Sequence, residues 1–244
     1  MTSASPSSVP DISLRKAARI AGIAYLLVFV VSILANSFAL QKLVVLGDAT
    51  TTANNIAAHE TLFRLGIAGW MIVLACDAVA AWGLYVFLKP VNRSLSLLAA
   101  WFRLIFVAVL VVSFAGHFSV LELLNGPQYL TGIDANHLRA QAMQLLQRHE
   151  FNVHAGFLFF GIHILLLGYL AFRSGYVPKI LGILLLIASV GYLIDSFGNF
   201  VSPAYANNPT YFVIFVGVPA VISELFLTVW LLVKGTRVTP LSGS

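Results

Sequence analysis

Residues 151–201 read FNVHAGFLFFGIHILLLGYLAFRSGYVPKILGILLLIASVGYLIDSFGNFV. Two apolar runs, 151–172 and 178–201, each match the ~20 residues an α-helix needs to cross about 30 Å of hydrocarbon. The turn between them holds Arg173, Gly175, Pro178 and Lys179. Glycine and proline interrupt helices, and basic residues belong at a membrane surface. The stretch therefore reads as a transmembrane helical hairpin. Outward from it, further apolar runs lie at 18–40, 63–88, 95–124 and 210–233.

Composition requires the same solvent. Hydrophobic residues make up 59% of the 244 and charged residues only 9%, against roughly a quarter charged in soluble domains. Hydrocarbon accepts lipid-facing positions as apolar as core positions, provided the backbone is hydrogen-bonded within helices. The expected fold is an all-α six-helix transmembrane bundle over residues 15–235, between a disordered Ser- and Pro-rich cytoplasmic tail at 1–14 and a second cytoplasmic tail at 236–244. The basic start and first apolar run resemble a secretory signal, but the run continues past Asn36 and Ser37 to Leu40, long enough to span.

Basic residues set the orientation. Arg15, Lys16, Arg19, Lys89, Arg93, Arg173, Lys179, Lys234 and Arg237 fall on one side; Lys42, Arg64, Arg139 and Arg148 fall on the other. The first side is expected to be cytoplasmic, with both termini on it. The net charge of +5 sits in short clusters beside apolar runs, which is a topology signal and excludes a nucleic-acid footprint. The expected partner is the lipid bilayer.

Two outer connections are long enough to fold. From Asp134, a helix N-cap residue, Leu138, Ala142, Leu145 and Leu146 form one stripe, so 134–149 reads as an amphipathic helix ahead of the fourth span. Thr52 to Phe63 is a shorter version, and the two together form an outer cap.

Chemistry can reside only where ionisable groups enter the spans, because a charge near the bilayer centre costs at least a few kcal/mol unless it is paired or wetted. At ~1.5 Å per residue, Asp77, His163 and Glu224 fall about 20 Å from their outer ends, with Arg103 slightly deeper. These four are the candidate ligand-binding layer. Arginine cannot escape burial by losing its proton, so Arg103 must find an anion, water or carbonyls, and its expected partner is at least one of Asp77 and Glu224. With both acids ionised one negative charge is left over, which a proton on one of them removes. An ion pair that only holds helices together has the same appearance.

His117, His154 and Asp195 fall in the outer third, with Glu122 and Asn199, and form a candidate metal site for a membrane-embedded hydrolase. Gly191, Asp195, Asn199 and Ser202 make a polar stripe on the fifth span, which also serves as interhelical glue. Cys76, the one cysteine, reads as small apolar filler. No phosphate loop, paired-cysteine metal motif or nucleophile elbow is present, so no cofactor is selected.

Several strings carry a family resemblance: Arg19, Gly22 and Tyr25; Lys89, Pro90, Asn92, Arg93 and then Arg103; the run Gly168 to Gly182 with Arg173, Gly175, Tyr176 and Pro178; and Glu224 ahead of Leu231, Lys234 and Gly235. From about Arg19 to Gly235 the chain resembles the bacterial domain-of-unknown-function 4386 family. That resemblance implies a multi-span protein of the bacterial inner membrane and assigns no catalytic residues. The expectation is a non-enzymatic membrane protein that binds or moves a small or lipidic ligand at Asp77, Arg103, His163 and Glu224. The alternatives are the metal-dependent hydrolase and a structural or regulatory membrane partner.

Overall fold

A computed structural model describes residues 12–126 and 132–237. The tail at 1–14 falls mostly, and that at 236–244 almost wholly, outside the described residues. Among the described residues, six helices are long and apolar enough to cross a membrane: α1 (Leu14–Leu43), α3 (Glu60–Leu88), α4 (Arg93–Asn125), α5 (Ala135–Arg173), α6 (Lys179–Val201) and α8 (Pro209–Val233). Short helices α2 (Ala49–Ala58) and α7 (Pro203–Ala206) lie in the connections on one end. The chain is a multi-pass membrane protein.

Local sequence chemistry sets the helix starts. Ser13, Asp48, Asn92 and Asp134 each accept a backbone N–H of the first turn of α1, α2, α4 and α5, satisfying donors that no helical carbonyl reaches. The spans then pack as a closed ring in chain order: α1 on α3, α3 on α4, α4 on α5, α5 on α6, α6 on α8, and α8 back on α1. Tight approaches fix several of these contacts. A Cβ on Gly182 of α6 would sit 2.7 Å from the Phe172 nitrogen of α5, and one on Gly22 of α1 would sit 2.8 Å from Leu232 of α8.

All four basic clusters share one end of the ring. Tyr176, in the α5–α6 turn, donates its hydroxyl to the Phe87 carbonyl at the end of α3, which brings the Arg173/Lys179 and Lys89/Arg93 turns together. Gly235 packs on Ala18, adding the basic residues flanking α1 and α8.

The amphipathic segment at 134–149 is helical but not separate. It runs without a break into the fourth span as the 39-residue α5, about 58 Å long at ~1.5 Å per residue. No Gly or Pro occurs between Ala135 and Ala155 to end it. Its expected stripe is buried at Leu138, Ala142 and Leu146, and α2 packs against this helix as an outer cap. The 52–63 segment does break, at His59; Phe63 belongs to α3.

Two spans carry π-helical turns in their outer halves, Leu34–Leu40 in α1 and Val213–Gly217 in α8. In α8 the cause is near: Pro219 has no N–H to offer the carbonyl of Phe215, its partner in an α-helix. That carbonyl lies against Gly191 of α6, where a Cβ would fall 1.7 Å from the oxygen.

Candidate functional site

Each of the six spans sends one polar side chain into a single buried region: Tyr25 from α1, Asp77 from α3, Arg103 from α4, His163 from α5, Tyr192 from α6 and Glu224 from α8. Arg103 is the hub and is only 1% exposed. Its Nε and Nη2 both donate to Asp77 Oδ1, and its Nη1 donates to the Tyr25 hydroxyl and faces His163 Nε2 at 3.2 Å. The guanidinium carbon sits 4.4 Å from the Tyr25 ring centre and 5.4 Å from that of Phe160, within cation–π range.

His163 has a defined tautomer. Its Nδ1 lies 2.8 Å from the Ala99 carbonyl, which can only accept, so Nδ1 carries the hydrogen and Nε2 presents a lone pair to Arg103. The imidazole is thus a neutral acceptor. Four of the five guanidinium N–H groups are engaged in this way, and none goes to Glu224.

Glu224 stands beside the hub, within electrostatic reach of Arg103, Asp77 and Tyr25. Its Oε1 accepts from the Tyr192 hydroxyl at 2.7 Å. Asp77 neutralises Arg103, so the Glu224 carboxyl has no cation of its own among the side chains gathered here. Asp77, Arg103, His163 and Glu224, named from depth alone, are therefore neighbours, while Tyr25 and Tyr192 were missed. The signal was available: both are tyrosines well inside apolar runs, away from the interfacial belts where tyrosine usually sits.

The outer candidates do not form one site. His154 Nδ1 lies 2.6 Å from Asp195 Oδ2, and Asp195 also accepts from Asn199 and Tyr205. Asp195 is fully buried, with Asn199 and Tyr205 as donors and His154 Nδ1 beside it. Tyr205 lies beyond the span, where partial burial and then the Asp195 carboxylate push its hydroxyl up to about 12, so it stays a donor at neutral pH.

His117 lies elsewhere, against Phe63, Phe114 and His149, with ring centres 5.9, 4.8 and 4.6 Å away. It lines a separate outer hollow of about 230 Å³ with His149, Glu150 and Asn36. Among the described residues, no three of His, Cys, Asp and Glu come together to hold a metal. The expected His117–His154–Asp195 site is therefore corrected to a His154–Asp195 pair alone. Helical phase is the reason: five residues separate His149 from His154, about 140° of turn, so α5 shows His149 to His117 on α4 and His154 to Asp195 on α6. Depth agreed; azimuth did not.

Residues 20–235 match the family described as a domain of unknown function, DUF4386. The chain belongs to the DUF4386 family. This DUF4386 protein is also similar to an uncharacterized protein of Archaeoglobus fulgidus, 28% identical over 179 residues that cover 71% of this chain and 85% of the archaeal one. No solved structure matches.

Proposed function

We propose that this DUF4386 protein binds, or moves across the bilayer, a small or lipidic ligand at the polar centre formed by Asp77, Arg103, His163 and Glu224. The observation that supports this reading is the convergence of one polar side chain from each span, together with a buried Glu224 carboxyl that no cation among the described residues pairs with. Tyr25 and His163 complete the hydrogen bonds of the Arg103–Asp77 pair, but Tyr192 and Glu224 are not needed for that. A carboxyl buried in the bundle without a cation is costly. A ligand or a proton that meets this carboxyl gives the arrangement a use.

Both termini are assigned to the cytoplasmic face of the cell membrane, because nine basic residues flank that end of the spans and four the other.

Native mass spectrometry of the full chain, released from membranes into a delipidating detergent, tests the reading. The expected result is one adduct of defined mass per chain that is lost in His163→Ala. A spectrum with only a ladder of bulk lipid, the same in both proteins, overturns it.

A further inference from the structure

The first and sixth spans close the ring at one end only. On the basic end Gly22 packs under Leu231 and Leu232, and Ala18 packs under Gly235. In the outer half the two helices lean apart. The π-helical turn of α1 packs on α3, with Leu40 over Gly66 and Ala35 over Gly69; that of α8 packs on α6, with Phe215 over Gly191.

Helical phase locates the gap. Ile33 shares an azimuth with Gly22, and Val221 with Leu232, each to within about 20°. The stripes that meet at the basic end are thus 53% exposed at both Ile33 and Val221. Exposure rises outward from Tyr25 and Glu224, which mark where the helices part. The result is an apolar seam at which Ile33 and Val221 face the bilayer, with buried Glu224 one helical turn below Val221.

We propose that the seam between α1 and α8 admits a membrane-soluble amphiphile with a cationic amine head, which Glu224 receives while the hydrocarbon tail lies between Ile33 and Val221. This rests on the ligand-binding reading above and adds the ligand's class and route. Charge complementarity selects the amine. Arg103 has four of its five N–H donors on Asp77, Tyr25 and His163 and its charge matched by Asp77, so an anionic head finds no unmatched cation here and meets Glu224. An ammonium brings the missing positive charge and hydrogen-bond donors for the carboxylate. An acyl chain fills the seam at no cost in exposed apolar surface.

The test uses the full chain in lipid nanodiscs and two probes of equal length, each carrying a photoreactive diazirine in its tail: an octadecylamine and the corresponding fatty acid. The amine is expected to label saturably within 26–33 and 218–225, with labelling competed by plain octadecylamine. Glu224→Gln retains an acceptor for Tyr192 and is expected to cut saturable labelling by about tenfold or more. Equal labelling by the acid, labelling spread over all lipid-facing helices, or amine labelling unchanged in Glu224→Gln overturns the proposal. The acid comparison needs no variant. A stoichiometric native adduct alongside non-saturable amine labelling removes only this seam and its ligand class; absence of any adduct removes the binding reading itself.

Discussion

Asp77 takes both its hydrogen bonds from Arg103 through one oxygen, Oδ1, across 26 residues of chain. The contact joins α3 to α4 inside the bundle, where neither group has water to fall back on. Removing one partner strands the other, so Arg103→Ala is expected to destabilise the protein by ~3–5 kcal/mol. Arg103→Ala with Asp77→Ala is expected to recover part of that loss, which a double-mutant cycle on detergent-solubilised protein measures. Additive losses would mean that the two side chains do not depend on each other.

Gly191 offers a second test. An alanine there places Cβ 1.7 Å from the Phe215 oxygen, and backbone cannot yield as a side-chain tip can. Gly191→Ala is expected to cost ~3 kcal/mol or more, by analogy with overpacked cores. Gly217→Ala, whose Cβ meets nothing nearer than 3.9 Å, is expected to change the melting temperature little. Similar behaviour of the two variants would place the α8 turn elsewhere.

Asp48 gives the outer cap a pH dependence. Hydrogen bonds from the Thr51 backbone and hydroxyl hold its carboxyl below the usual carboxylate range. A depressed folded value means the cap's contribution is full above the unfolded value of about 4 and is lost as pH falls through the folded one. The protection of α2 amides against hydrogen exchange, relative to their intrinsic rates at each pH, is expected to fall below about pH 4, and Asp48→Ala to abolish that step. An α2 whose exchange keeps the same acid step without Asp48 would assign the step to another group.

Topology is checked by fusion. With both termini cytoplasmic, a fluorescent protein after Lys234 is expected to glow and a periplasmic phosphatase there to stay silent. Active phosphatase at that position would invert the assignment.

Hydropathy and basic turns made the six spans legible because both follow from transfer free energies that each segment experiences alone. Depth was legible too, since a constant rise per residue placed Asp77, Arg103, His163 and Glu224 near one level. Partners across helices were not, because they depend on which neighbour a face meets. His117 and His154 share the outer third, yet α5 turns His154 towards Asp195 and His149 towards His117. Tyr25 and Tyr192 were passed over because tyrosine looks apolar to a hydropathy scan, although their hydroxyls reach Arg103 and Glu224. The π-helical turns left only indirect traces, Asn36 and Ser37 in one and Pro219 beside the other.

The unbroken length of α5 has a mechanical consequence. One continuous helix carries the outer segment on which α2 packs and His163, which faces Arg103. A rod does not absorb displacement between its ends. A push on the cap from outside the membrane therefore arrives at His163 as a tilt or a twist, without any signal passing from residue to residue. The outer surface and the polar centre are thereby the two arms of one lever for any displacement that tilts α5 as a whole, with the packing of α4 and α6 around it as the fulcrum.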